Sequence, residues 1–443
     1  MHPARLPAGF EWGVSTASYQ IEGAVREDGR GASVWDTFTA RPGVVRNGDT
    51  GDMACDHYHR YREDVGLMAG LGLDAYRFSL SWPRILPEGR GRVEPRGLDF
   101  YDRLVDELLA HGITPTPTLF HWDLPQALED EGGWLRRETA EAFAAYAGVV
   151  ADRLGDRVQR WITLNEPFVH LAFGYAFGVH APGRALMLDA LPAAHHQLLG
   201  HGLAARELRA RGAGEVWIAN NCTPVRDAGS PVAAEAYDAL HNRMFNDPLL
   251  VGSYPDLSAY GVTGPEWGGI VREGDLELLH GSLDGLGVNY YNPTWVTAPG
   301  EGAGLPFELA EPDKDYPRTA FDWPVVPEGL TELLTGLQAR YGDALPPVWI
   351  TENGCSCDDV VRAGGVDDQA RVDYLAAHVD AVGEAVARGV DVRGYFVWSL
   401  LDNFEWAEGY AQRFGLVHVD YATQRRTPKA SYHWYRDLIA SLR

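Results

Sequence analysis

Cysteine and basic residues are scarce in this sequence. Only four of its 443 residues are cysteines, too few for a disulfide framework in a chain of this size. The 38 lysines and arginines are outnumbered by 62 aspartates and glutamates, which gives a formal net charge of −24. A charge of this sign repels nucleic-acid phosphates and anionic membrane surfaces. We therefore expect reduced thiols and no nucleic-acid partner.

Long apolar runs are also missing. The first residues contain no apolar stretch of signal-peptide length, and no later segment reaches the roughly 20 apolar residues of a membrane span. These features predict a soluble, cytoplasmic protein without a membrane partner. Cys355 and Cys357 have no cluster of histidine or cysteine at ligand spacing around them, so we expect loop thiols and no metal site.

What the sequence does contain is a series of eight short apolar runs separated by helical patterns. Residues 97–112 and 138–154 carry apolar side chains at the three-to-four spacing of an amphipathic helix. Continuously apolar runs are typical of parallel strands whose two faces are both covered. The eight runs lie at 11–15, 75–79, 116–120, 160–164, 216–220, 286–290, 347–351 and 394–399.

This order predicts an α/β fold: a single (β/α)8 TIM barrel spanning residues 1–443, with long loops after its strands. The alternative is an open, doubly wound sheet, which usually carries a glycine-rich phosphate loop after its first strand. Residues 13–18, GVSTAS, do not match such a loop. The aperiodic stretch at 298–327, rich in proline, glycine and acid, predicts a loop beside the functional site.

Two glutamates occupy nearly identical settings, each where an apolar run ends. Glu166 lies in the segment WITLNEP and Glu352 in the segment WITENG. In a barrel of this kind the functional site forms at the carboxyl ends of the strands. Two carboxyl groups that share a cavity can protonate a leaving oxygen and attack, or activate water, at the same carbon. Glycoside hydrolysis uses this arrangement.

Other polar and aromatic residues follow the same strand ends. Each of them has a structural explanation when taken singly, such as a turn-forming amide or a core tryptophan. Barrel packing, however, places no demand for polar groups at so many strand ends. Together they suit a sugar, whose hydroxyls need donors and acceptors and whose C–H faces stack on indole rings. The set is Gln20, Arg77, His121, Trp122, Asn165, Asn289, Tyr291, Trp398, Glu405 and Trp406.

Several long motifs, in this order, resemble those of glycoside hydrolase family 1, the β-glucosidase family. They are FEWG at 10–13, SYQIEG at 18–23, HWDLP at 121–125, TLNEP at 163–167, ITENG at 350–354 and WSLLDNFEW at 398–406. The resemblance covers nearly the whole chain. The sequence departs from the family pattern at Phe168, where tryptophan is frequent, and at Cys222 and Cys355. These departures concern the preference for the leaving group, the aglycone.

The resemblance implies a role for each matching residue. Glu166 corresponds to the acid/base and Glu352 to the nucleophile. Arg77, Asn165 and Tyr291 correspond to residues that support the nucleophile, and Asn165 also holds the sugar 2-hydroxyl. The remaining matches bind substrate: Gln20, His121, Trp122, Asn289, Trp398, Glu405, Trp406 and Phe414. Trp323 and His180 are expected on the aglycone side.

The resemblance also implies an activity. We expect a retaining β-glucosidase that releases glucose from short oligosaccharides such as cellobiose and from aryl and alkyl glucosides, with no cofactor or metal. Side activity on β-galactosides and β-fucosides is expected, since the same pocket residues would contact those sugars. A 6-phospho-β-glucosidase, a transglycosidase and a non-catalytic sugar-binding barrel remain as alternatives, and the oligomeric state is left open.

Overall fold

Eight parallel strands form a closed barrel in the computed structural model, which describes residues 6–260, 267–362 and 365–443. Each predicted apolar run lies on one strand, with its ends shifted by no more than two residues. This confirms the predicted (β/α)8 barrel. The strands are β1 (Glu11–Ser15), β2 (Ala75–Ser79), β3 (Thr114–Phe120), β4 (Arg160–Asn165), β5 (Glu215–Asn221), β6 (Gly285–Asn289), β7 (Val348–Asn353) and β8 (Val392–Trp398).

A helix follows each strand and covers the outside of the barrel. The predicted helix at 97–112 begins earlier, at Pro95, because proline suits the first helical turn and the Glu94 side chain caps it by accepting from the Arg96 amide. The outer helices are α1 (His57–Leu71), α2 (Pro95–Ala110), α3 (Arg137–Leu154), α4 (Leu191–Ala210), α5 (Met244–Leu250), α6 (Pro327–Tyr341), α7 (Gln369–Ala387) and α8 (Ala430–Ser441).

The amino-terminal end of the barrel is closed by packed side chains. The indole rings of Trp217 and Trp349 stack with centroids 3.9 Å apart, and the guanidinium of Arg160 lies 4.3 Å from the centre of the Trp217 ring. Arg160 also pairs with Glu11 at 2.6 Å. Because this end is filled, the open end at the carboxyl termini of the strands is left for a ligand.

The loops at that open end carry the remaining elements. A π-helical segment, His170–Ala176, follows β4, and a second one, Ala239–Arg243, leads into α5. The predicted loop at 298–327 contains the short strand Glu308–Ala310, which pairs antiparallel with Thr294–Thr297. Among the described residues no helix is long and apolar enough to cross a membrane.

Candidate active site

Glu166 and Glu352 line one cavity of about 490 Å³ at the open end of the barrel. They are only 5% and 3% exposed, respectively. The strand pairing shifts register close to each of them, between Ile162 and Asn165 on β4 and between Ile350 and Glu352 on β7. Such bulges interrupt the alternation of a strand and redirect the side chains that follow. The two carboxyl groups are therefore aimed into the barrel mouth by local irregularities of their own strands.

Three of the predicted site residues have left-handed backbone conformations. Glu166 has a φ of 44°, Trp122 of 75° and Trp406 of 48°. These values cost free energy for residues other than glycine and persist where surrounding contacts hold them, which is frequent at functional sites. The amide of Glu166 donates to Ala219 O at 2.7 Å, and the Trp122 indole donates to Asn165 O at 2.9 Å.

Glu352 is held by a cation and a phenol. Arg77 Nη1 donates to Glu352 Oε1 at 2.5 Å, and the Tyr291 hydroxyl donates to Glu352 Oε2 at 2.8 Å. Arg77 also donates to Asn165 Oδ1 at 2.5 Å. The side chains expected to support the nucleophile are thus brought together around Glu352.

Glu166 is held by amides instead. Its Oε1 accepts from Asn289 Nδ2 at 2.9 Å and from Asn221 Nδ2 at 3.1 Å. The Asn289 amide is fixed in turn by Thr351, whose hydroxyl donates to Asn289 Oδ1 at 2.6 Å. Among the described residues, no arginine or lysine forms a hydrogen bond or an ion pair with Glu166.

The two environments separate the proton affinities of the carboxyl groups. Burial, together with the nearby charge of Glu352, raises the pKa of Glu166 from 4.5 to about 8. Burial also raises the pKa of Glu352, but the Arg77 guanidinium and the Tyr291 hydroxyl oppose that rise. A protonated Glu166 beside an ionised Glu352 is the arrangement expected of an acid and a nucleophile near neutral pH.

A polar pocket adjoins these carboxyl groups. His121 is buried and accepts at Nε2 from Asn165 Nδ2, 3.0 Å away, so its proton is on Nδ1. Burial and the charge of Arg77 keep the pKa of His121 well below 6.5. His121 Nδ1 and Gln20 Oε1 are both buried and have no hydrogen-bond partner among the described residues. Two unpaired polar atoms, one donor and one acceptor, are suited to sugar hydroxyls.

Glu405 is the third carboxyl group on the cavity wall. Gln20 Nε2 lies 3.5 Å from Glu405 Oε2 and also donates to Phe404 O at 2.9 Å. Burial, followed by the charges of Glu352 and Glu166, raises the pKa of Glu405 to about 8. Gln20 and Glu405 are therefore adjacent, while Trp398 and Trp406 line the same cavity.

The aromatic residues expected on the aglycone side also line the cavity. Trp323 stacks on Phe321 with centroids 4.4 Å apart and lies 6.0 Å from the Phe414 ring. His180 packs against Trp122 and Trp35, and burial lowers its pKa to about 4.

All of the predicted site residues therefore meet at one end of the barrel. Gln20, Arg77, Asn165 and Asn289 are not on the cavity wall itself, but each forms a hydrogen bond with a residue that is.

The sequence did not reveal Asn221, which contacts Glu166, or His241, whose Nε2 lies 2.9 Å from Asn221 Oδ1. Asn221 directly follows the predicted run at 216–220, so its position at a strand end was the one available signal. His241 lies in the π-helical segment Ala239–Arg243, for which the sequence offers no comparable signal.

A model of the family described as glycosyl hydrolase family 1 matches residues 2–442. The thermostable beta-glucosidase B of Thermobispora bispora is 52% identical over 98% of this chain and 90% of that protein.

Among solved structures, a psychrophilic beta-glucosidase from Micrococcus antarcticus is 50% identical, with a TM-score of 0.94 over 99% of this chain and 98% of that one. The beta-glucosidase from Thermotoga maritima in complex with azafagomine is 45% identical, with a TM-score of 0.93 over 99% of both chains. The chain belongs to glycosyl hydrolase family 1.

Proposed function

We propose that this protein is a retaining β-glucosidase in which Glu352 is the nucleophile and Glu166 the acid/base. The observation that carries the proposal is the contrast between two buried carboxyl groups in one cavity. Glu352 is paired with Arg77, whereas Glu166 is hydrogen-bonded by amides and has its pKa raised to about 8. In the proposal, the whole chain, residues 1–443, forms one catalytic domain that needs no cofactor.

In the first step, Glu352 attacks the anomeric carbon of the bound glucoside and forms a covalent ester. The bond from that carbon to the leaving oxygen breaks, and Glu166 transfers its proton to this oxygen. Arg77 and Tyr291 hold the attacking carboxylate in place, since they donate to its two different oxygens.

In the second step, Glu352 is bound in the ester and Glu166 acts as a base. The ester removes the negative charge of Glu352, which is one of the causes that raise the pKa of Glu166. Glu166, which has already given its proton to the leaving oxygen, therefore stays ionised and accepts a proton from a water molecule. That water attacks the anomeric carbon, the ester breaks, and glucose leaves with its β configuration retained.

The pocket for the glucose unit is suited to a sugar without a 6-phosphate. Glu405 supplies a carboxyl group where a 6-phosphate would require a cation. The cationic Arg413, in the same loop, is already tied to Asp402 at 2.6 Å and to Val419 O at 3.1 Å. These contacts argue against the 6-phospho-β-glucosidase alternative. β-Galactosides and β-fucosides are proposed as weaker substrates, because Gln20, His121 and Glu405 would contact the hydroxyls at which these sugars differ from glucose.

The substrates are small β-glucosides such as cellobiose and aryl or alkyl glucosides. A non-catalytic sugar-binding barrel is disfavoured because both carboxylates are present, and a transglycosidase would require an acceptor sugar to outcompete water. We also propose a cytoplasmic location, since the four cysteines form no disulfide. The thiols of Cys355 and Cys357 lie 3.5 Å apart without a bond.

The test is proton NMR of the protein cleaving an aryl β-D-glucoside, observed before the glucose anomers interconvert. Early β-glucose is expected for a double displacement, and early α-glucose would overturn that mechanism. Cleavage restricted to 6-phosphoglucosides, or no cleavage of any glycoside, would overturn the β-glucosidase proposal. Trisaccharide formed from added cellobiose in preference to glucose would favour a transglycosidase.

A further inference from the structure

A second, nearly apolar cavity of about 330 Å³ adjoins the active-site cavity. We refer to it as the apolar groove. Phe168, Phe173, Tyr237 and Leu309 line both cavities, so the two share a wall. The side chains that line the apolar groove are Phe168, Leu171, Phe173, Phe177, Leu240 and Leu309, with others of the same kind around them.

The rim of the groove exposes large apolar side chains. Phe173 is 38% exposed, Phe177 43%, Met187 39% and Leu309 66%. Contiguous apolar surface of this kind is uncommon on soluble proteins unless it binds a ligand or a partner. The groove therefore has the surface expected of a site for an apolar ligand.

The polar groups of the groove are already engaged. Glu308 is the one charged residue among the described residues that line it, and its Oε1 accepts from the Gly300 amide at 2.8 Å. The Tyr237 hydroxyl lies 3.0 Å from His241 Nδ1. Since these groups have partners within the protein, the groove offers an entering ligand apolar contact rather than hydrogen bonds.

Two π-helical turns contribute to the walls of the groove. Leu171, Phe173 and Ala176 belong to His170–Ala176, and Leu240 belongs to Ala239–Arg243. Turns of this kind are rare and recur at functional sites. Here each is connected to the acid/base. Phe168, two residues after Glu166, stacks on His241 with centroids 3.7 Å apart, and His241 reaches Glu166 through Asn221.

A leaving group on the Glu166 side of the cavity would contact Phe168, which also lines the groove. We propose that the apolar groove holds the alkyl chain of a long-chain alkyl β-D-glucoside, an inference that rests on the β-glucosidase activity proposed above. A cavity of about 150 Å³ accommodates benzene. The groove has about twice that volume and shares wall residues with the active-site cavity, which leaves room for a chain of about eight carbons.

The test compares methyl, butyl, hexyl and octyl β-D-glucosides, each below the concentration at which it forms micelles. Burial of each added methylene is expected to raise kcat/KM about two- to fourfold, up to octyl. If kcat/KM does not change from butyl to octyl, the proposed role of the groove is overturned, while the β-glucosidase proposal stays intact. A protein that cleaves none of these glucosides, nor an aryl glucoside, would overturn both.

Two variants locate the effect. Phe177→Asp places a charge at the rim, and Ala176→Phe fills the groove from the π-helical turn. Each is expected to lower the ratio of octyl to methyl kcat/KM by about tenfold. The matched control is Leu109→Asp. Leu109 is 41% exposed, close to the 43% of Phe177, but lies near the end of α2, on the opposite face of the barrel.

A change in the ratio for Leu109→Asp equal to that for Phe177→Asp would overturn the proposal. An equal loss of kcat/KM for cellobiose and octyl glucoside in Phe177→Asp would also overturn it, because the groove would then bind sugar units and not an alkyl chain. Sedimentation of the wild type as a dimer that Phe177→Asp dissociates, with no chain-length effect, would assign the groove to a second copy of the chain instead.

Discussion

Arg77 Nη1 lies 2.5 Å from Oε1 of Glu352, and both side chains are almost completely buried. Breaking such a pair by removing one partner leaves an uncompensated charge, which costs about 3–5 kcal/mol. The second carboxyl group of the cavity, Glu166, is held by amides. This asymmetry favours the ionised form of Glu352 and the protonated form of Glu166.

Replacing Arg77 with methionine should therefore move the acidic limb of the pH profile of kcat/KM. The variant loses the cation that opposes the raised pKa of Glu352, so that pKa rises further and ionised nucleophile is lost at higher pH. We expect the limb to move upward by about 1–3 pH units. Arg84→Met is the control, because Arg84 forms a comparably buried pair with Glu22 at 2.9 Å. An acidic limb that does not move in Arg77→Met, or moves equally in Arg84→Met, would contradict the assignment of Glu352.

The two carboxyl groups should differ in their dependence on the leaving group. Glu352→Gln removes the proposed nucleophile, and we expect turnover of every glucoside to fall by about 10⁴-fold or more. Glu166→Ala removes the proposed proton donor, so alkyl glucosides should be slowed much more than dinitrophenyl glucoside, whose leaving group needs no proton.

Azide provides the check on these roles. Added to Glu166→Ala, it should attack the glycosyl-enzyme and yield β-glucosyl azide. Added to Glu352→Ala with dinitrophenyl glucoside, it should take the place of the missing carboxylate and yield α-glucosyl azide. Equal losses on activated and unactivated glucosides in Glu166→Ala, or the opposite pair of azide products, would count against the assignment.

Asn221 should influence the alkaline limb of the pH profile of kcat/KM. Its amide donates to Glu166, a contact that lowers the pKa of Glu166. In the wild type we expect kcat/KM to fall above a pH of about 8 as Glu166 loses its proton. Loss of a hydrogen bond worth about 0.5–1.5 kcal/mol in Asn221→Ala should move this limb upward by about half to one pH unit. Asn292→Ala is the control, since Asn292 lines the same cavity but donates to Pro293 O. An unchanged limb in Asn221→Ala would show that this contact does not tune Glu166.

Most of the barrel, and most of the polar residues that meet at its open end, could be predicted from the sequence for a physical reason. A strand buried on both faces must be continuously apolar, so a glutamate at its end, such as Glu166 or Glu352, stands out. Asn221 was less visible because a single amide after a strand is usually a turn residue. No pattern in the sequence indicated the apolar groove, since part of its wall is formed by π-helical turns whose register follows from packing and not from a periodic pattern.

The raised pKa of Glu166 also predicts a pH-dependent cost to stability. The carboxyl group has a pKa of about 8 in the folded protein, against an ordinary value of 4.5. Below pH 4.5 it is protonated in both states, and its contribution to the free energy of unfolding is then at its highest. Between pH 4.5 and 8 the unfolded chain has lost the proton and the folded chain keeps it, so stability falls as the pH rises.

Glutamine at position 166 cannot ionise, and Glu166→Gln should therefore gain stability over the wild type as the pH rises. The gain should be small at pH 5 and reach roughly 2–3 kcal/mol near pH 7–8. Chemical unfolding of both proteins at several pH values measures it. Glu301→Gln is the control, because Glu301 is exposed and its charge is already solvated in the folded protein. A difference between Glu166→Gln and the wild type that stays constant from pH 5 to pH 8 would mean that Glu166 is already ionised in the folded protein at pH 5. It could not then serve as the proton donor at neutral pH.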